Sequence, residues 1–421
     1  MDRISALSDE LLLKIISLLT TREAVFTSTL SKRWECVWKY LPKLDFTCEL
    51  SHRPALMGFL NRNLPLHRAP VIESFRLYIA LERTKHEDVR MWLVIALFRS
   101  LRELDISYHD VSDYNGPRRR DILPSSLYVC KSLVVLKLEG QILLDVPLRL
   151  VCLPSLKTLK LKKVTSLDGE SLGRLLSICP VLENLSVVFF IGRDYDVVNM
   201  GNVIVRLLSL QRLTLLMDHR CKLDRLEIDA PSLKYLKLVD LNGGSESCLI
   251  ENMPVLEEAY VDVRYDDMES LIGTITYVKR LTICSRALYG DGFVFSQLED
   301  LKLCDCSVGA SMLLSRLLID SPNLRALNIF QMKKHYDTDM DLWNQPSHVP
   351  ACFESSLQSF SWSGYLGGVQ DRDVAVYVLK WANCLKTATI SSNEQYVPKL
   401  EMLKDLSVSS RASTACQLFF D

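Results

Sequence analysis

The sequence predicts an α/β protein: three short N-terminal helices, then a solenoid of parallel strands with helical returns on its convex side, then a C-terminal α/β segment that caps the array. Three observations carry this reading. An apolar unit of the form Leu-x-x-Leu-x-Leu recurs along most of the 421 residues. Several of the stretches between copies have helical periodicity, and the residues before Leu41 carry three helix signatures but no copy of the unit. A chain of this length is too long for one compact core, so a repeat array or several domains is required.

The first helix is predicted over Leu7 to Leu19, LSDELLLKIISLL. Ser8 is a good N-cap, Asp9 and Glu10 suit the positive end of the helix dipole, and strong helix formers follow. Leu11, Leu12, Ile15, Ile16 and Leu19 form one stripe, which Leu13 and Leu18 widen beyond what a single neighbour would cover. The second helix begins at Thr20, placed like a capping box relative to Glu23, and carries Ala24, Val25 and Phe26 before Ser and Thr residues end it. The third begins at Ser31; Trp34 and Trp38 share a face, Val37 and Leu41 lie beside them, and Pro42 stops the helix. Three short helices cannot bury two tryptophans and a leucine-rich helix among themselves, so part of this surface is predicted to meet a partner.

Copies of the repeated unit start at Leu41, Ile72, Leu101, Leu133, Leu156, Leu182, Leu210, Leu223, Leu233, Leu256, Val278, Leu298, Leu324, Leu357 and Leu385. Most spacings lie between about 20 and 33 residues, the period of a strand-and-return solenoid. Each unit is a short strand whose period-two leucines point into a core that no single unit could fill; stacking strands about 4.8 Å apart makes the core continuous. The returns GESLGRLLSI after Asp168, GASMLLSRLLI before Asp320 and HEDVRMWLVIALF before Arg99 read as helices, with Pro180 and Pro322 past the ends of the first two. The place after the strand, where a regular repeat has Asn or Cys, is filled in this way only by Cys306, which predicts irregular curvature.

Near Asp337 to Pro350 the character changes. Leu342 to Pro350 is a proline-punctuated connection, and strand, helix, strand, helix, strand follow. SSLQSFSW and LKTATI are the first two strands; Asp371 is read as the cap of a helix with Val374, Tyr377, Val378, Trp381 and Leu385 on one face. Pro398 opens a short helix with Leu400, Leu403 and Leu406, and CQLFFD ends the chain as an edge strand with Leu418 and Phe420 facing inward.

The run Ile4 to Phe46 resembles the F-box of the plant F-box proteins that carry leucine-rich repeats and a C-terminal FBD domain. The likeness rests on Leu7, Asp9, Glu10 and Leu11, on Ile15, Leu18 and Leu19, on LSKRW from Leu30 to Trp34, and on Trp38. Ser8 and Thr20 stand where that family usually has Pro, and both are competent caps. WNQPSHVP, KLEMLKDL, RAS and CQLFFD resemble the FBD domain. The resemblance implies an F-box over 1–46, a leucine-rich-repeat solenoid over 47–340 and an FBD segment over 341–421. It also implies that a Skp-type adaptor, and through it a cullin, is the partner of the F-box.

Composition agrees with an intracellular, non-membrane protein. With 50 basic and 51 acidic residues the chain is almost neutral, so charge gives no electrostatic argument for nucleic-acid or membrane binding, and neither partner is expected. Arg118 to Arg120 read as a solvated loop. The 13 cysteines include no Cys-x-x-Cys; Cys304 and Cys306 are close, but a disulfide between them along one strand would be strained. No signal peptide is recognised, so they are expected to be reduced thiols in the cytoplasm or nucleus. The seven histidines find no partner at a local metal-binding spacing. There is no Gly-x-Ser-x-Gly elbow or phosphate loop, and Asp218-His219 and Asp266, Asp267 and Glu269 read as solvated turns, so neither a catalytic site nor a cofactor is expected.

The function expected is a non-catalytic substrate receptor of a Skp–cullin–F-box ubiquitin ligase. The alternatives are an adaptor-bound interaction protein that does not promote degradation, and a repeat scaffold with a degenerate F-box. The adaptor surface is expected to be Leu7, Leu11, Leu12, Ile15, Leu19, Val25, Leu30, Trp34 and Trp38, some by contact and some by holding the helices together. Strand alternation puts the residues between the consensus leucines on the concave face. There Lys137, Lys160 and Lys162 form a basic shoulder beside an apolar row, Val188, Leu216 and Val239 with Tyr260 nearby, which Asp229 interrupts. This row is the expected target-binding surface, unless a loop such as Gly192 to Asn202 or Asn242 to Ser247 covers it and makes it core.

Overall fold

The computed structural model describes residue 4 and residues 7–47, 53–80, 85–109, 122–147, 151–164, 168–189, 198–241, 247–251, 253–264, 268–285, 287–306, 309–332, 335, 340, 342–392, 404 and 406–420. They form two compact units, Met1–Leu210 and Gln211–Asp421.

The first unit opens with α1 (Asp9–Ile16), α2 (Thr21–Phe26) and a 3-10 helix over Trp34–Tyr40. Ser8 Oγ accepts the Leu11 N–H at 3.4 Å. The capping box is reciprocal: Glu23 accepts the Thr20 N–H at 2.9 Å and Thr20 Oγ1 accepts the Glu23 N–H at 3.3 Å. Helix α1 ends at Ile16 rather than at Leu19, because Ser17 turns its hydroxyl back onto the Lys14 carbonyl at 2.7 Å. The third helix is wound as 3-10 rather than α; that winding eclipses Trp34 and Val37, and both are buried together with Trp38.

Next in the chain come β1 (Lys43–Phe46), α3 (Arg53–Asn63), β2 (Ser74–Ala80), α4 (His86–Leu97), β3 (Glu103–His109), β4 (Val135–Gly140) and β5 (Thr158–Lys162). Helix α5 (Gly169–Ser177), β6 (Asn184–Phe189), β7 (Val198–Asn199) and β8 (Asn202–Arg206) complete the unit. Strands β1 to β6 pair in chain order, all parallel. Their register aligns Leu44, Phe75, Leu104, Leu136, Leu159 and Leu185 in one column, and Phe46, Leu77, Ile106, Leu138, Leu161 and Val187 in the next. All twelve are buried, and at roughly 1.5–3 kcal/mol for each large side chain these columns are the main favourable term of the ladder. The helical returns α4 and α5 lie at the predicted places, and Asp168 caps α5 by accepting the Ser171 N–H at 2.7 Å.

The second unit contains β9 (Arg212–Met217), β10 (Cys221–Lys222), β11 (Arg225–Asp229), β12 (Tyr235–Asp240), β13 (Ser247–Glu251), β14 (Glu258–Val263), α6 (Glu269–Ile275) and β15 (Arg280–Ser285). It continues through β16 (Asp300–Cys304), α7 (Ala310–Asp320), β17 (Ala326–Phe330), α8 (Ala351–Ser355), β18 (Ser359–Ser363), α9 (Val369–Trp381), β19 (Thr387–Ser391) and β20 (Gln417–Phe420). Its parallel ladder runs β9, β12, β14, β15, β16, β17, β18, β19, β20.

One predicted rung is corrected. The unit starting at Leu223 forms β11, which pairs with β13 and not with β9 or β12; β9 and β12 pair directly, Leu216 beside Val239. A strand must travel out and back over about a dozen residues before it can rejoin a parallel sheet, and the unit from Leu223 to Leu233 is too short for that. Its leucines instead line a return made of strand rather than helix.

The C-terminal segment continues the same ladder, with Ala326 beside Ser359, Ser359 beside Thr387 and Thr387 beside Gln417. Asp371 is not the cap of α9, which starts two residues earlier behind Gly368. The buried Asp371 carboxylate instead accepts the Met340 N–H at 3.1 Å, tying the incoming connection to the helix. The predicted helix at Pro398 lies mostly outside the described residues, as do Arg118 to Arg120. Phe420 is buried and Leu418 half-buried, as strand alternation requires. Among the described residues no helix is long and apolar enough to cross a membrane.

Candidate adaptor-binding face and open sheet face

The N-terminal helices divide their apolar side chains into two sets. Leu12, Ile16, Ala24, Trp34, Val37, Trp38 and Leu41 are buried. Trp38 owes much of this to the start of the repeat array: it packs on Phe59 of α3 at 5.4 Å between ring centroids and lies 6.3 Å from His67. Thr21 Oγ1 accepts the Asp45 N–H of β1 at 2.8 Å, and the Lys39 carbonyl accepts the N–H groups of Arg68 and Ala69 at 2.7 and 3.1 Å. The helices are thereby joined to the first rung of the array.

The second set is left in solvent. Leu11, Ile15 and Leu19 are exposed, and Leu18, Phe26 and Leu30 are 87%, 73% and 66% exposed. Side chains of this size would be covered in an ordinary N-terminal cap, and leaving several together costs favourable burial that a partner can recover. Of the nine adaptor residues expected from sequence, Leu11, Ile15, Leu19 and Leu30 are exposed, Leu7 and Val25 are half-buried, and Leu12, Trp34 and Trp38 are buried. Leu18 and Phe26 belong with the exposed group, although they are not among the nine. The signal is in the sequence, since Leu18 overfills the stripe of the first helix.

On the open face of the first unit, the row between the core columns reads Asp45, Arg76, Asp105, Lys137, Lys160 across β1 to β5. Arg76 bridges Asp45 at 2.9 Å and Asp105 at 3.4 Å, and Lys137 meets Asp105 at 3.6 Å. On the next row Lys162 meets Glu139 at 2.9 Å. Two lysines of the expected basic shoulder are therefore held in intramolecular pairs, worth little each at a partly exposed surface but sufficient to blunt the positive field. Val188, on the same row as Lys162, is half-buried.

On the open face of the second unit, Leu216 and Val239 are adjacent on paired strands and half-buried. Asp229 does not interrupt them, because β11 is not in this ladder. Beside them Lys237 holds its ammonium 4.0 Å from the centroid of the Tyr260 ring. Of the loops that could cover the row, 192–197 and 242–246 lie outside the described residues. Further along the row stand Asp262, partner of Val239, then Cys284, partner of Asp262. In the Asp218-His219 turn the carboxylate meets the ring of an exposed histidine, while Asp266 and Asp267 lie outside the described residues.

Next to Asp262 is a cluster that local spacing does not reveal. His335 Nδ1 lies 2.7 Å from Cys306 Sγ, 3.5 Å from Cys304 Sγ and 3.7 Å from Cys284 Sγ, and the sulfurs of Cys284 and Cys306 are 3.6 Å apart. The other ring nitrogen, Nε2, meets Asp262 Oδ2 at 3.1 Å. Hydrogen bonds from Cys284 and Cys306 hold the Cys304 thiol well below its usual range against the opposing effect of burial. Burial pushes the Asp262 carboxyl up, against the pull of His335.

Three protein-family models match the chain: an F-box domain at residues 4–46, the leucine-rich repeats of FBD-associated F-box protein At5g56370 at 89–195, and FBD at 345–390. Over 424 residues the chain is 52% identical to the FBD-associated F-box protein At4g10400 of Arabidopsis thaliana, covering 100% of both chains. The chain belongs to the FBD-associated F-box protein family. Other relatives in this family are FBD-associated F-box protein At5g38590 of the same plant, 49% identical over 96% of this chain and 98% of that one, and putative F-box/FBD/LRR-repeat protein At4g00315, 43% identical over 100% of both. For an F-box protein the division between buried and exposed apolar side chains at the N-terminus acquires a meaning: one set builds the module and the other is available to a partner. An F-box joined to leucine-rich repeats is the domain pairing of a substrate adaptor in ligases of the Skp–cullin–F-box type.

Proposed function

We propose that this chain is the substrate-recognition subunit of a Skp–cullin–F-box ubiquitin ligase, with residues 1–46 as the F-box, 47–340 as the repeat array and 341–421 as the FBD segment that closes it. The F-box binds a Skp-type adaptor and through it a cullin. A target protein docks on the open face of the repeats, and ubiquitin transfer is carried out by other subunits in the cytoplasm or nucleus. The observation that carries this reading is the exposed apolar set of Leu11, Ile15, Leu19 and Leu30 within the residues matched as an F-box. Leu12, Trp34 and Trp38, which are buried, help to hold the helices together, and Leu7 and Val25 are half-buried.

The decisive experiment is adaptor binding by a chain carrying Leu11→Ala and Ile15→Ala. Both side chains are exposed in the free chain, 46% and 39%, so much of the cost of truncation falls on the complex. The expected loss of affinity is roughly 2 kcal/mol or more, about 30-fold, with the far-ultraviolet spectrum unchanged. Adaptor binding equal to that of the unmodified chain would remove the assignment. Given adaptor binding, build-up of a bound target after proteasome inhibition is the result that makes the complex a ligase rather than a scaffold.

A further inference from the structure

We propose that Cys284, Cys304, Cys306 and His335 form a zinc site that staples three successive rungs of the second unit. The four ligands come from β15, from the end of β16, from just after it, and from the segment after β17. Their ligand atoms all lie within 4.8 Å of one another. Tetrahedral zinc, with zinc–sulfur about 2.3 Å and zinc–nitrogen about 2.0–2.1 Å, sets ligand sulfurs about 3.8 Å apart and sulfur to nitrogen about 3.5 Å. The separations of 3.6 Å between Cys284 and Cys306, 3.5 Å from His335 to Cys304 and 3.7 Å from His335 to Cys284 match that tetrahedron. The 2.7 Å between His335 and Cys306 has to lengthen by less than an ångström, and Cys306 lies beyond the end of β16, outside the strand pairing.

The donor set selects the metal. Three thiolates and one imidazole suit zinc, whereas calcium and magnesium require oxygen ligands. Four protein donors fill the coordination sphere, which is the composition of a structural site and leaves no position for a water to be activated. The surroundings are those such a site uses. Asp262 meets Nε2 of His335, which fixes the tautomer and turns Nδ1 toward the sulfurs; ligating histidines are generally oriented by a carboxylate in this way. The Met332 N–H points at Cys304 Sγ at 3.4 Å, supplying a donor to a thiolate. Tyr260, Phe330 and Met332 pack around the sulfurs, limiting the approach of water. On binding, each thiol that becomes a ligand gives its proton to solvent, and no oxidant or reductant is involved. Because Asp262 follows Leu216 and Val239 along one row, the metal fixes the wall beside the apolar strip of the open face.

Two other states could account for the same residues, a Cys284–Cys306 disulfide and free thiols. A disulfide gives no role to the histidine or to the third sulfur. The experiment uses the full chain purified under reducing conditions without chelator, its zinc released by thiol modification and counted. About one zinc per chain is expected. The paired substitution Cys284→Ser and Cys304→Ser should remove it, while Cys152→Ser, at an exposed cysteine, should leave it in place. Should the paired variant fail to fold, cobalt titrated into the reduced unmodified chain decides: intense sulfur-to-cobalt charge-transfer absorption with tetrahedral visible bands supports the site. Asp262→Asn should retain metal with affinity lowered about 10- to 100-fold. Absence of both bound zinc and the cobalt bands, zinc retained in the paired variant, or a Cys284–Cys306 disulfide in the reduced preparation each overturns the proposal.

Discussion

Lowering the pH from 7 to 5 should weaken the attachment of the F-box helices, and His67 is the group responsible. Its side chain is 2% exposed, in the segment that connects α3 to β2. Nε2 donates to the Leu41 carbonyl at 3.1 Å, while Nδ1 is buried with no hydrogen-bond partner among the described residues, so the neutral ring fits and a second N–H would be stranded. Burial, and then the positive charge of Arg99, lower the His67 pKa from 6.5 to about 4, the Leu41 carbonyl opposing. The folded chain thus refuses a proton that the unfolded chain accepts between these values. The stabilisation is complete above about pH 6.5 and is lost as pH falls toward 4. At 1.36 kcal/mol per pH unit the full difference is roughly 3 kcal/mol, of which about 2 kcal/mol should have gone by pH 5. His67→Gln keeps a donor for Leu41 but does not titrate. Urea unfolding of both chains at pH 7 and pH 5 isolates the effect, because every other titrating group is common to the two. The unmodified chain should lose about 2 kcal/mol more than the variant. Identical pH dependence, or an imidazole titration by NMR that places His67 near 6.5, would refute the reasoning.

Three further outcomes are expected. Gly140→Ala should destabilise the chain by about 2 kcal/mol or more, read from thermal unfolding, because φ is +100° there and an added Cβ would lie 2.0 Å from the Tyr108 carbonyl oxygen; a neutral result would mean that the turn after β4 can rearrange. Removing residues 415–421 strips β20 from β19 and opens the edge Thr387–Ile390 together with the surface under Phe420; the shortened chain should lose about 3 kcal/mol or more and aggregate, and an unchanged melting temperature would place the cap elsewhere. Leu216→Asp with Val239→Asp should abolish target binding without loss of stability if the half-buried row is a docking strip, whereas loss of stability would make it core.

Most of the fold was legible because a repeat writes the same physics many times. Leu136 and Leu159, or Leu301 and Leu327, are neighbours across the sheet because each holds the same place in its unit, and the parallel ladders follow from that alone. The failures are instructive for the same reason. The Leu223 unit has the right letters, but it is too short to leave and re-enter a parallel sheet, so length overrules pattern. Asp371 looks like a helix cap because Asp usually is one, yet a backbone N–H from Met340, 31 residues earlier, claims it. The adaptor face was visible as apolar excess, but its division into exposed Leu11 and Ile15 and buried Leu12 and Ile16 depends on which side of α1 meets the 3-10 helix over Trp34–Tyr40.

The cysteine–histidine cluster escaped because metal-binding patterns are defined by local spacing, as in fingers where two ligands share a turn. In a solenoid the effective short distance is one repeat. Cys284 and Cys304 are separated by a single unit and lie on paired strands, with the register running from Arg280 beside Asp300 to Ile283 beside Leu303. Asp262 lies one unit before Cys284 and is its direct partner across the sheet. Phe330 lies one unit after Cys304 in the same way, and His335 comes just beyond it. Chemistry dispersed over more than seventy residues of sequence, Asp262 to His335, is therefore carried by four adjacent strands and the turns at their ends. The same folding of sequence distance places Leu216 and Val239 at the head of the row and the thiols further along it. A change of residue at a single phase of the repeat can consequently alter the open face at one rung and leave the leucine core untouched.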